Sequence, residues 1–257
     1  MRRVRPLHVR IEGRGRDLVL LHGWGFHSGA WDGVAGELAS RYRLHRIDLP
    51  GHGRSQACEA PGFEQAAEAV ARCIPEGSVV AGWSLGGLFA QRIAASSRSR
   101  IRAVALVAST PCFVQRDGWG EAMAPATLDA FARDLETNAP DTLEHFVRLN
   151  ALDGVGARQA VREMLKALET APMATPSGLR DGLRWLRETD LRGSTPGLVT
   201  PCVVLHGARD RIAPVGAGRW LAREIRGARL IELQDAAHLP FATHPRAFIE
   251  AVEMADG

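Results

Sequence analysis

Cysteine is scarce in this chain of 257 residues: the four present, Cys58, Cys73, Cys112 and Cys202, lie far apart and form no CxxC pair. That spacing argues against a disulfide framework and against a cysteine zinc site, and it suits reduced thiols in the cytoplasm. Long apolar runs are also missing. The opening stretch MRRVRPLHVRIEGRGRDLVLLHG begins basic, but its apolar run, Leu18 to Leu21, is strand-sized and too short for a signal peptide. No later segment is long enough to span a membrane, so no membrane partner is expected. Charge is not concentrated either. Lys and Arg number 32 against 29 Asp and Glu, and the net charge of +3 is evenly scattered, which argues against nucleic acid. There is no internal repeat and no low-complexity stretch.

What is present is an alternation. Short apolar runs at 17–21, 44–48, 78–83, 103–108, 201–205 and 228–233 are rich in Val, Leu and Ile and lack strict polar alternation. This is the pattern of strands buried on both faces of a parallel sheet. Amphipathic stretches at 30–40, 63–74, 85–97, 215–226 and 245–254 lie between them. Strand–helix alternation of this kind predicts βαβ units and an α/β fold with a mostly parallel, doubly wound sheet. An opening strand near 4–11 is expected to pair antiparallel at one edge.

Residues 111–192 break the rhythm. They hold no convincing strand, and their helical patches fall at 125–138, 140–151, 156–170 and 176–188. So long a connection is unusual for a βα unit. It reads as a helical lid over the C-terminal ends of the strands, where open α/β sheets bind ligands. The expected organisation is thus a core of 1–110 and 193–257 with a lid of 111–192.

Gly82-Trp83-Ser84-Leu85-Gly86 fits G-x-S-x-G between a predicted strand and a predicted helix. Glycine costs roughly 0.5–1 kcal/mol relative to Ala inside either element, so something else must require it. A sharp strand-to-helix turn does: it strains the Ser backbone, leaves no room for side chains two residues away, and exposes the hydroxyl at a helix N-terminus. A tight turn or a phosphate loop can show a similar pattern, but the G-x-x-x-x-G-K-[ST] lysine is missing.

A serine nucleophile needs a base oriented by a third group, and in this architecture acid and then base follow it along the chain. Asp210, in LHGARD after the run 201–205, is the expected acid; Asp181 and Asp190 are rivals inside the helical insertion. His238, in QDAAHLP after 228–233, is the expected base. His22, His52 and His206 each precede Gly in turns and read as backbone-organising, and His244 before Pro245 reads as structural. The oxyanion hole is expected from the backbone N–H of Leu85 and of Trp24, the latter in the HGWG loop after 17–21. The alternative reading of Trp24 is a core aromatic. No metal or organic cofactor is expected.

LLHGWG (20–25), DLPGHGRS (48–55), GWSLGG (82–87), HGARD (206–210) and AAHLPFATHP (236–245) together resemble the α/β-hydrolase family over nearly the whole chain. ASTPCFVQRDGW (108–119), ARQAVREMLKALETAPM (157–173) and AAHLPF add a narrower resemblance, to the carboxylesterase family that removes the methyl ester of a pimeloyl chain held on acyl carrier protein in biotin biosynthesis. This resemblance implies attack by Ser84, loss of methanol and hydrolysis of an acyl-enzyme by a monomer. It also implies substrate contacts at Trp24, Ser84, Leu85, His238 and the run Phe146, Val147, Arg148, Leu149 and Asn150, and docking of an acidic carrier protein by Arg158 and Arg162. Two further arginine positions of that family fall on Asp141 and His145 here, a departure that bears on docking geometry.

Spacing alone makes Arg158, Arg162 and Lys166 one helical stripe, suited to an acidic partner or simply solvated. Phe113, Phe131 and Phe146 could line an apolar acyl channel or form the insertion's own core. A general short-chain esterase, a lactonase, a C–C hydrolase or a perhydrolase could use the same triad, and a non-catalytic binding protein is a third reading.

Overall fold

Six of the apolar runs form parallel strands: β2 (Arg16–Leu21), β3 (Tyr42–Ile47), β4 (Ser78–Trp83), β5 (Ile101–Val107), β6 (Cys202–Gly207) and β7 (Arg229–Leu233). A seventh, β1 (Val9–Gly13), pairs antiparallel with β3 at one edge. The sheet order is β1-β3-β2-β4-β5-β6-β7. The computed structural model describes residues 6–58, 60, 62–96 and 101–257. Residues 4 and 5 of the expected opening strand, and residue 97 of the expected helix 85–97, lie outside the described residues. Every residue of β4 and β6 is buried, which is why those runs carry no polar alternation. Full burial of each Val or Leu there is worth roughly 1.5–3 kcal/mol.

The sheet is flanked by α1 (Asp32–Ala39), α2 (Phe63–Ala71), α3 (Leu85–Ser96), α8 (Val215–Glu224) and α10 (Pro245–Asp256), with a short α9 (Pro240–Thr243) that periodicity did not signal. Between β5 and β6 come four helices in succession: α4 (Pro125–Thr137), α5 (Ala139–Ala151), α6 (Ala157–Leu168) and α7 (Pro176–Glu188). Each lies within two residues of its expected limits. Proline at the first turn starts α4, α5 and α7, and the Asn138 and Thr175 side chains cap the last two of these.

Topology locates the site. β2 and β4 are neighbours, yet β2 connects onward to β3 on one side and β4 to β5 on the other. The chain therefore diverges beyond the C-terminal ends of β2 and β4, which opens a crevice there. The helical insertion is stitched to the core beside it. Thr175 N–H donates to Gly51 O (2.9 Å), Gln56 Nε2 to Met173 O (2.7 Å) and Arg54 Nη2 to Thr170 O (3.2 Å). Gly51, at φ +76°, and Gly178 touch backbone to backbone: a Cβ on Gly178 would lie 2.4 Å from Gly51 O. Among the described residues no helix is long and apolar enough to cross a membrane, and all four cysteines are free thiols.

Candidate active site at the strand ends

Ser84 stands between β4 and α3 with φ +55°, a left-handed conformation that is strained in any residue but glycine. The surroundings hold it there. Ser84 N–H donates to Val107 O (3.0 Å), and its carbonyl accepts from Gly87 N–H and from Ser109 Oγ, each at 2.9 Å. The flanking glycines are explained by contact. A Cβ on Gly82 would lie 2.4 Å from Gly86 O, and a Cβ on Gly86 would lie 2.2 Å from Leu21 O. Gly87 is a third requirement, because its Cβ would meet Ser109 Oγ at 2.3 Å. The absence of these side chains lets the start of α3 sit directly on the end of β2 and the His22 loop.

Asp210 and His238 meet, although 28 residues separate them. His238 Nδ1 lies 2.7 Å from Asp210 Oδ2, and both side chains are buried. The other Asp210 oxygen accepts backbone N–H groups from Ile212 (2.8 Å) and Ala213 (2.9 Å). Gly207, at the end of β6, makes the meeting possible: a Cβ there would lie within 2.4 Å of the carbonyls of Ala236 and Ala237. The His238 backbone is pinned on both sides. Its N–H donates to Asn150 O in α5 (2.9 Å), and its carbonyl accepts from the Trp83 indole (2.8 Å). His238 Nε2 is buried and has no hydrogen-bond partner among the described residues.

The HGWG loop after β2 is equally determined. Phe26 N–H closes a turn onto Gly23 O (3.3 Å), with Gly25 at φ +76°. His22 Nδ1 also reaches Gly23 O (2.8 Å), and Leu49 N–H donates to His22 Nε2 (2.9 Å). Burial, aided by the neighbouring His52, pushes the His22 pKa down to about 3; burial likewise takes His52 to about 4. His52 Nδ1 bonds Pro50 O and His206 Nε2 bonds Ala213 O, while His244 lies between Thr243 and Asp235. These four histidines organise backbone and loops. The rival acids are engaged in surface pairs, Asp181 with Arg184 and Asp190 with Arg192.

Ser84 lines a narrow cavity of about 60 Å³ bounded by Trp24, Phe113, Phe131, Phe146, Leu149 and Ile212, among others. No charged side chain lines it among the described residues. Trp24, Phe131 and Phe146 form an aromatic triangle with ring centroids 5.1–5.4 Å apart. The Trp24 indole N–H donates to Leu179 O in α7 (2.9 Å), so this aromatic bridges the loop to three helices of the insertion. Of the run 146–150, Phe146 and Leu149 face the slot. Val147 is buried outside it, Arg148 is exposed and paired with Glu144, and Asn150 meets His238 through its backbone carbonyl. Leu85 is buried at the start of α3. Arg158, Arg162 and Lys166 are exposed along α6, with Arg162 bonded to Gln159; Asp141 and His145 are exposed on α5.

Sequence reading did not single out Trp83 or Ser109 as contributors to this site. Trp83 was within reach, since it occupies the variable position of the G-x-S-x-G motif next to the serine.

The sequence model of the Alpha/beta hydrolase family matches residues 18–251. A pimeloyl-[acyl-carrier protein] methyl ester esterase of Chromobacterium violaceum is 42% identical over 96% of this chain and 96% of its own. The protein of the same name from Nitrosomonas europaea is 37% identical over 96% of this chain and 98% of its own. Among solved structures, a bromoperoxidase from Bacillus anthracis superposes with a TM-score of 0.88 at 21% identity, covering 96% of this chain and 94% of that one. The enol-lactonase from Burkholderia xenovorans gives a TM-score of 0.83 at 25% identity, covering 96% of this chain and 95% of that one.

Proposed function

The chain belongs to the α/β-hydrolase family and, within it, to the pimeloyl-[acyl-carrier protein] methyl ester esterases; from that premise we propose that Ser84, His238 and Asp210 cleave the methyl ester of a pimeloyl chain carried on acyl carrier protein, the reaction expected in biotin biosynthesis. The observation that carries the assignment of roles is His238 itself, whose Nδ1 is held by a buried carboxylate while its Nε2 has no hydrogen-bond partner among the described residues.

Ser84 Oγ attacks the ester carbonyl and gives its proton to His238 Nε2. The negative charge on the carbonyl oxygen is met by the N–H groups of Leu85 and Trp24; losing one such donor costs about 10²–10³ in turnover. The C–O bond breaks, methanol leaves with the proton from His238, and Ser84 carries the acyl group. Water then adds to that ester with His238 as base, which frees a carboxylate and restores Ser84. Asp210 stays ionised throughout and stabilises the imidazolium. This chemistry uses side chains and backbone alone.

The insertion serves as the lid, and its Phe113, Phe131 and Phe146, together with Trp24 of the β2 loop, supply the apolar wall for the methylene chain. Arg158 and Arg162, exposed on α6, offer charge to an acidic carrier. The test is a comparison of kcat/KM for pimeloyl-[acyl-carrier protein] methyl ester and for p-nitrophenyl butyrate. A preference for the carrier-bound ester of about 100-fold or more supports this substrate; equal use of both leaves a general short-chain esterase.

A further inference from the structure

We infer that His22 is a positioning residue for ester cleavage: its Nδ1–H fixes the Gly23–Trp24 peptide so that the Trp24 N–H faces the developing oxyanion. The inference rests on the reading of Trp24 as an oxyanion donor, and it explains how that donor is aimed.

The Gly23–Trp24 peptide is trans, so its carbonyl and its N–H point in opposite directions. Whatever holds Gly23 O therefore sets the direction of the Trp24 N–H. Two donors hold it: His22 Nδ1 at 2.8 Å and Phe26 N–H at 3.3 Å. The first is the shorter contact. Sterics contribute little, since Gly23 has no side chain to restrict its ψ; a Cβ there would crowd the Trp83 ring, 3.0 Å away.

The tautomer that this role demands is imposed from outside the loop. Leu49 N–H can only donate, and it donates to His22 Nε2 (2.9 Å). Nε2 therefore bears the lone pair, and the single proton of the neutral ring sits on Nδ1, facing Gly23 O. A proton on Nε2 instead would face the Leu49 N–H and leave the Nδ1 lone pair against a carbonyl. Rotation of the Gly23–Trp24 peptide relieves that repulsion, but it turns the carbonyl toward the place where negative charge must form. The ring is wholly buried and its centroid lies 5.5 Å from that of His52. In this arrangement β3 and its following loop, through Leu49, help decide which way an amide on the β2 loop points.

Two substitutions separate the two bonds. His22→Asn places an amide donor near the position of Nδ1, whereas His22→Gln places an acceptor near the position of Nε2 and lacks the donor to Gly23 O. With p-nitrophenyl butyrate, His22→Gln is expected to lower kcat by about 10²-fold, the loss of an oxyanion donor, with KM nearly unchanged. His22→Asn should recover most of kcat at a similar Tm. Equal kcat losses in both variants, tracking Tm, would overturn the inference. Histidine ¹⁵N shifts of the wild-type protein need no variant to fold: a protonated Nδ1 and bare Nε2 at His22 from pH 5 to 9 are expected, and the opposite tautomer refutes the role. Fluorophosphonate labelling of wild-type Ser84 keeps the outcomes apart. Labelled Ser84 with an unaffected His22→Gln overturns this inference alone; unlabelled Ser84 overturns the catalytic reading and this inference with it.

Discussion

Asp210 grips His238 at 2.7 Å through one oxygen while its other oxygen is committed to two backbone N–H groups, those of Ile212 and Ala213. The carboxylate therefore cannot rotate, and the imidazole is presented with its Nδ1 proton engaged. In Asp210→Asn the amide oxygen must stay with the two N–H donors, which forces the NH₂ group toward His238 Nδ1. The ring then carries its proton on Nε2 and cannot act as a base. Turnover should fall by about 10⁴-fold, with the fold retained by circular dichroism. A loss of less than tenfold would remove Asp210 from the assigned role.

Ser84 is held at φ +55°, so its substitutions separate chemistry from strain. Ser84→Ala should abolish hydrolysis of p-nitrophenyl butyrate and keep the strain. Ser84→Gly should be equally inactive but more stable than the alanine variant by about 1 kcal/mol, the typical cost of a left-handed non-glycine residue. Denaturant melts of the two variants check this. Wild-type turnover in either would show that the nucleophile is elsewhere.

Gly86→Ala puts a Cβ 2.2 Å from Leu21 O, a backbone atom that cannot swing aside. It should destabilise the protein by about 3 kcal/mol or more, seen as a lower urea midpoint or as insoluble expression. Gly118→Ala is the control for local glycine effects. No atom lies within 4 Å of a Cβ at Gly118, although its φ of +68° adds a smaller strain cost.

Acid should unfold this protein through its buried histidines. His22 and His52 sit at about 3 and about 4, against 6.5 for a free imidazole. Between those values the unfolded chain binds protons that the folded chain refuses, so stability is complete above pH 6.5 and is lost as pH falls toward 4. The slope is about 1.4 kcal/mol per pH unit for each such group. Urea titrations at pH 7, 6 and 5 should show the midpoint falling throughout; a flat series contradicts it.

Replacing Arg158 and Arg162 together with Glu should reduce kcat/KM for the carrier-bound ester by at least about tenfold through slower association. Hydrolysis of p-nitrophenyl butyrate should not change, because both side chains are exposed on α6. Equal losses on both substrates would make the stripe structural.

Much of this was legible in the chain because it is written locally. The run SVVAGW is apolar on both faces and becomes a central strand; G-x-S-x-G announces its own turn; Asp210 and His238 each follow a strand closely. The contacts that sequence hid are long-range and depend on backbone atoms, which any residue supplies. Nothing in Asn150 indicates that its carbonyl will take the His238 N–H, and nothing in Trp83 indicates that its indole will hold the His238 carbonyl. Arg148 shows the converse limit: it belongs to a run that faces the slot at two positions, but helical rotation carries its own side chain out to Glu144.

The backbone contact between Gly51 and Gly178 also constrains how such enzymes can be recombined. Exchanging residues 111–192 with those of a relative does not transplant a free cassette. The incoming segment must bring a glycine at the position of Gly178, carbonyls where Thr170 and Met173 offer theirs to Arg54 and Gln56, and one where Leu179 takes the Trp24 indole proton. Crossovers that carry residues 48–56 along with the insertion preserve the loop-to-insertion part of this match, so chimeras built that way should fold more often than those cut at the insertion boundaries alone.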